Sequence, residues 1–155
     1  MSENAKEIFE HGIKLLADDN IDRALKAFDK AYKFEKDNAR YMSYYGMCKA
    51  LRGGEIGLGL ELCTRAIKKE FFKPEHYVNL ARVYIAAGNK KGAFKVLLKG
   101  LKHDPANAVI NKMLVDLGFR HKPVIPALDR TNPLNKFLGI LLRRMIPGIA
   151  GKKRR

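Results

Sequence analysis

Cysteine is scarce in this chain: Cys48 and Cys63 are the only two in 155 residues, too few for a disulfide framework or a cysteine-built metal site. Histidine is as sparse. His11, His76, His103 and His121 lie far apart, and none has a ligand at i+3 or i+4 in a metal-binding pattern. No run approaches the roughly 18 apolar residues a membrane-spanning helix needs. The start, Met-Ser-Glu-Asn-Ala-Lys-Glu, lacks the basic segment and apolar stretch of a secretory signal. The glycine-rich stretches 53–59 and 88–92 lack the spacing and lysine of a phosphate loop. The cluster Asp18, Asp19 and Asp22 reads as a turn and a first helical turn, where acids suit the helix dipole. These absences argue against an enzyme and against any cofactor or metal. They point to a reduced, cytoplasmic setting, with peripheral membrane association left open.

Acidic residues are also in short supply, 16 against 31 Lys and Arg, for a net charge of +15. The imbalance is uneven. Residues 119–155 carry ten Lys/Arg against the single acid Asp129, whereas residues 1–118 carry 21 against 15. A positive field attracts nucleic acid, anionic lipid or an acidic protein about equally, so charge alone selects no partner. Apolar residues make up 46% and charged residues 30%, a globular balance suited to one modest domain.

What the sequence does contain is a repeat. Gly12, Gly46 and Ala81 align, preceded by four residues by Ile8, Met42 and Tyr77. About twelve residues further on come the small residues Ala24, Gly59 and Ala93, then apolar Phe28, Cys63 and Leu97, then small Ala31, Ala66 and Gly100. The units run 5–38, 39–73 and 74–107, or 34, 35 and 34 residues. Each reads as two amphipathic helices, with large residues at i, i+3, i+4 and i+7 facing a neighbour and small residues where the two helices cross. Asp18-Asp19-Asn20, Gly53-Gly54 and Gly88-Asn89 punctuate the turns, and Pro74 and Pro105 sit where a helix would begin. Cys63 occupies a packing position and Cys48 lies near one, which makes them buried thiols; His11 occupies a core-like slot.

On these residues the chain resembles the tetratricopeptide repeat (TPR) family. The third unit carries the pattern best, through Tyr77, Leu80, Ala81, Tyr84, Gly88, Ala93, Leu97, Gly100 and Pro105. The first departs at His11 and Lys36, and the second needs one extra residue near Gly53-Gly54. The resemblance implies an all-α, right-handed superhelical solenoid over residues 5–118, with 106–117 as an amphipathic capping helix over its last apolar face.

It also implies a concave groove lined by the first helix of each repeat. Those slots hold Lys6, Phe9, Glu10, Ile13 and Leu16; Arg40, Ser43, Tyr44, Met47 and Leu51; and Glu75, Val78, Asn79, Arg82 and Ile85. One TPR type holds chaperone C-terminal carboxylates with Lys, Asn and Arg. Here those positions carry Phe9, Ile13, Tyr44, Glu75 and Asn79, which argues against that clamp. The remaining surface suits an apolar helix or extended segment of a protein partner, with Tyr44 and Arg82 as the leading individual contacts. The competing reading is that Phe9, Ile13, Met47 and Ile85 simply pack between helices.

Beyond residue 118 the pattern breaks. Pro123 and Pro126 mark 119–131 as an extended linker. From Asn132-Pro133, residues 132–146 read as a basic amphipathic helix. Leu134, Phe137, Leu138, Leu141 and Leu142 form its stripe, with Arg143 and Arg144 beside it. Residues 147–155 end in a solvated Gly-Lys-Lys-Arg-Arg tail. Three roles fit the helix: docking on its own solenoid, lying on an anionic membrane surface, or engaging a partner or second copy. The sequence thus reads as a TPR adaptor for a protein partner. An RNA-binding tail on a TPR platform is the alternative, disfavoured because no reading module is present and no aromatics alternate with the tail's basic residues. Partner identity and oligomeric state are not encoded in any of these patterns.

Overall fold

The structure, a computed structural model, describes residues 4–118. Among them are seven helices and no strand: α1 (Ala5–Ala17), α2 (Ile21–Phe34), α3 (Ala39–Gly53), α4 (Ile56–Lys69), α5 (Pro74–Ala86), α6 (Lys90–Leu101) and α7 (Ala108–Asp116). The chain divides into two units, Met1–Pro105 and Ala106–Arg155. Helices α1–α6 belong to the first and α7 to the second. The expected linker 119–131, the helix 132–146 with Leu134, Phe137, Leu138, Leu141, Leu142, Arg143 and Arg144, and the tail 147–155 lie outside the described residues.

Asparagine starts most of the helices. The side chains of Asn4, Asn20, Asn38, Asn89 and Asn107 accept backbone N–H bonds from Lys6, Arg23, Arg40 and Tyr41, Gly92, and Ile110 respectively. Each satisfies a donor that the helix leaves orphaned, worth about 1 kcal/mol relative to alanine. Helix α5 begins instead on Pro74, whose missing N–H costs nothing there. Pro105 does not do the same for α7. It lies in a turn, and Asn107 caps the helix two residues later, so α7 starts at Ala108.

In the first unit, α1–α2, α3–α4 and α5–α6 are helical hairpins; α2 packs on α3, α4 on α5, and α3 also on α5. The turn inside each hairpin passes through one left-handed residue: Asp19 (φ 57°), Gly54 (φ 68°) and Gly88 (φ 72°). The extra residue of the second repeat is absorbed by lengthening α3 to 15 residues, against 13 in α1 and α5. Within that hairpin α3 and α4 cross at Gly46 and Gly59. A Cβ on Gly59 would stand 2.7 Å from Ala50 Cβ and 2.8 Å from the Gly46 carbonyl oxygen, so no side chain fits between the backbones.

One core runs through the three hairpins, from Ile8 and Phe9 through Phe28, Tyr41, Met47 and Cys63 to Leu80 and Val83. A second patch, Ala39, Met42, Leu62 and Ala66, is covered by Tyr32 and Tyr45, whose rings stack 5.0 Å apart. His11 is exposed rather than part of this core. Gly12 leaves room for Phe28 to pack against α1, and the histidine one position earlier points off that face. Helix α7, in the second unit, buries Ile110 and leaves Val109 and Val115 exposed.

Candidate functional site

The first helices of the hairpins, α1, α3 and α5, present equivalent positions one repeat apart. Lys6, Arg40 and Glu75 form one row, Glu10, Tyr44 and Asn79 the next, and Ile13, Met47 and Arg82 a third. Arg40 joins the helices. Its Nη1 donates to Glu10 Oε1 of α1 at 3.0 Å and its Nε to Glu75 Oε2 of α5 at 3.3 Å, while its guanidinium lies 4.8 Å from the Phe9 ring centroid. Burial alone would pull the Arg40 pKa down, but Glu75 and Glu10 more than offset it and hold it above the ordinary value. The side chains remain partly open, 41%, 45% and 29% exposed for Arg40, Glu10 and Glu75, so each pair adds at most about 1 kcal/mol. Sequence reasoning named all three residues without pairing them. The signal was present: Glu75 holds the slot equivalent to Arg40 in the next repeat, and Glu10 lies one helical turn from that slot in the preceding one.

Five of the expected groove residues, Phe9, Ser43, Met47, Val78 and Asn79, lie beneath this surface instead of on it. Phe9 and Met47 are 0% exposed and Asn79 is 1%. The Phe9 ring packs against Phe28 (5.3 Å), Tyr41 (4.8 Å) and Tyr44 (5.3 Å). The Asn79 amide donates to Ser43 Oγ at 3.1 Å, which satisfies both buried polar groups. Met47 Sδ accepts from Arg82 Nη1 at 3.5 Å. The physical reason is packing by neighbouring helices: Phe28 of α2 and Tyr41 and Tyr44 of α3 close over Phe9, and α3 packs on α5 around Met47 and Asn79.

The open members are Lys6, Glu10, Ile13, Arg40, Tyr44, Glu75 and Arg82, flanked by Leu51 (37% exposed) and Ile85 (39%). Tyr44 is partly covered; burial and, secondarily, Glu75 raise its hydroxyl pKa, with Arg40 and Arg82 opposing. Its ring also packs 5.3 Å from Phe28, so it belongs to the core as much as to the surface. Arg82 differs from Arg40. Among the described residues it has no carboxylate partner, and its one hydrogen bond goes to a thioether, a weak acceptor.

Burial pushes the Cys48 and Cys63 thiols up to about 12, and Cys63 donates to the Ser43 carbonyl at 3.3 Å. His76 is fully buried, its Nε2 3.2 Å from Glu70 Oε2 and its Nδ1 without a partner. Among the described residues no group of three or more His, Cys, Asp or Glu could hold a metal ion, and no helix is long and apolar enough to cross a membrane.

Six antiparallel helices in three hairpins, crossed at small residues and offset by one repeat, define an all-α TPR solenoid. Solved structures carry the same fold. A thermophilic TPR protein from Thermus thermophilus superposes with a TM-score of 0.62 at 19% identity, over 74% of this chain and 66% of its own. The second TPR domain of human RPAP3, solved in complex with an HSP70 peptide, gives 0.58 at 16% identity, over 75% and 96%. An O-GlcNAc transferase from Thermobaculum terrenum gives 0.65 at 17% identity over 94% of this chain but only 27% of the transferase. The chain thus spans just under two thirds of the Thermus protein and about a quarter of the transferase. At these identities the likeness establishes the fold alone. No family model matches the sequence, and no curated protein matches it.

Proposed function

We propose that this protein is a non-catalytic adaptor whose α1–α3–α5 face binds an apolar peptide segment or helix carrying an acidic group. The observation that carries this reading is Arg82: a partly buried guanidinium on that face with only a sulfur acceptor among the described residues. A carboxylate from a partner would supply the charge-assisted bond it lacks, while Ile13, Tyr44 and Ile85 offer apolar contact beside it. The peptide complex of the human RPAP3 domain supports a peptide as the class of ligand. The terminal-carboxylate arrangement is not carried over. At those positions Phe9 and Asn79 are buried and Glu75 is already paired with Arg40. We further propose that residues 132–146 bring the adaptor to an anionic membrane surface or regulate access to the face, in a cytoplasmic setting.

A peptide display library screened against the full chain tests the binding face. The selected peptides should combine large apolar residues with Asp or Glu, and Arg82→Gln should weaken them about tenfold, the loss of one charge-assisted hydrogen bond. The chaperone peptide SGPTIEEVD should bind no better than a scrambled version. Selected peptides whose affinity is indifferent to Arg82→Gln would rule the assignment out. Tyr44 is left intact in this test, because its ring supports Phe9 and Phe28 and its loss would also destabilise the fold.

A further inference from the structure

The turns that connect one repeat to the next form a second surface, independent of the α1–α3–α5 face. Ion pairing and ring contacts join them into one edge. Lys69 Nζ at the end of α4 meets Asp37 Oδ1 in the α2–α3 turn at 2.6 Å, and Phe71 in the α4–α5 turn lies 5.6 Å from the His103 ring after α6. The three most exposed large apolar residues of the first unit are all phenylalanines on this edge: Phe34 (60%), Phe71 (59%) and Phe72 (54%). A soluble surface rarely places such rings outward together without a use for them. The turn that bears the pair is anchored. Tyr77 Oη donates to the Phe71 carbonyl at 2.7 Å, the Lys73 N–H bonds to the Glu70 carbonyl at 3.1 Å, and His76 fixes the Glu70 side chain.

Lysines surround these rings. Lys36, Lys68, Lys73 and Lys102 are exposed and make no ion pair among the described residues; of the acids on this edge, Glu70 is engaged by His76, Asp37 by Lys69 and Glu35 by the Asn38 amide, and Asp104 follows His103 in the chain. The opposite edge, formed by the turns inside the hairpins, carries Asp18, Asp19, Asp22 and Glu55 together with Arg52, Lys90 and Lys91, and there Asp22 pairs with Arg52 and Glu55 with Lys49. Among the described residues the exposed phenylalanines lie on the first of these edges only, with unpaired lysines on the same edge.

We propose that this edge docks on an anionic lipid surface, with Phe71 and Phe72, and Phe34 beside them, entering the headgroup boundary and the lysines lying among the phosphates. Single-stranded nucleic acid would use the same charges, but base stacking needs open ring faces. Here Phe72 has the Lys73 ammonium over its ring at 5.6 Å, and Phe71 makes edge contacts with Phe72 and His103. Protruding rings with lysines at their flanks suit insertion instead.

The chain has no tryptophan, so Phe72→Trp gives a single reporter. Full-length Phe72→Trp mixed with vesicles of phosphatidylcholine and phosphatidylserine should shift its emission to the blue, and should not shift with phosphatidylcholine alone. In co-sedimentation, Phe71→Ser with Phe72→Ser should lower affinity about tenfold for two inserted rings. Lys68→Gln and Lys73→Gln should each cost about fivefold at low salt, the effect of one interfacial charge. The same Phe variants are repeated in a chain with residues 152–155 replaced by alanine, which separates this edge from the basic tail. An unshifted emission, or Phe variants that sediment like the parent in both backgrounds, would overturn the proposal. So would a uridine oligonucleotide whose binding falls with Phe71→Ser and Phe72→Ser while vesicle binding does not. Both residues are exposed, and an unchanged melting curve separates lost docking from lost folding.

Discussion

Replacing Phe9 distinguishes a ligand contact from a structural floor. The ring is fully buried and touches Phe28, Tyr41 and Tyr44, with the Arg40 guanidinium above it. Phe9→Ala removes the ring and leaves a cavity, which costs about 3–5 kcal/mol. Against a total stability of about 5–15 kcal/mol that could unfold the chain outright. Phe9→Leu keeps the apolar volume and gives up mainly the three ring contacts, at about 0.5–1 kcal/mol each, for roughly 2 kcal/mol in all. Urea denaturation followed by far-UV circular dichroism reads the difference directly, with the slope unchanged if only stability is affected. Peptides selected against the parent chain should bind folded Phe9→Leu within about threefold. The reasoning fails if Phe9→Leu leaves the urea midpoint in place while abolishing peptide capture, since the ring would then contact the partner and not the core.

Two further outcomes follow from packing and burial. Gly59→Ala should destabilise by about 1–3 kcal/mol, because its methyl would meet the Gly46 carbonyl and Ala50; Gly57→Ala, with nothing within 4 Å, should stabilise slightly, and a melt of the two variants side by side checks the contrast. Cys48 and Cys63, with thiol pKa values raised to about 12 by burial, should stay protonated at pH 8 and resist iodoacetamide in the folded chain. Both should label within minutes in urea, and fast native labelling would contradict the packing described for them.

The helical repeat was legible because it is local. Small residues at Gly12, Gly46 and Ala81, apolar stripes and turn residues recur at fixed spacing, and each constrains backbone within a few residues of itself. The sequence put the extra residue of the second repeat near Gly53-Gly54; in the structure α3 runs to Gly53, 15 residues against 13 in α1 and α5, and Gly54 then reverses the chain. The five asparagine caps stood in the sequence unused as such, and Asn107 moved the start of α7 past Pro105. The candidate surface was less legible. A repeat slot says which helix face a residue occupies, but not whether the next helix covers it, and Phe9, Met47 and Asn79 fell on the covered side.

The sequence by itself determined the class of fold, the length of each hairpin and the pairs of positions that come together at each crossing, since those depend on periodicity and side-chain size within one repeat. Only the tertiary structure decided what the surfaces offer. Arg40 is engaged by glutamates 30 and 35 residues away, whereas Arg82 is left with a sulfur. Phe34, at the end of α2, and Phe71 and Phe72, in the α4–α5 turn, stand on one lysine-bearing edge because Lys69 reaches Asp37 and Phe71 reaches His103. Exposure and ion pairing depend on distances between segments far apart in sequence, and those distances exist only once the hairpins have stacked.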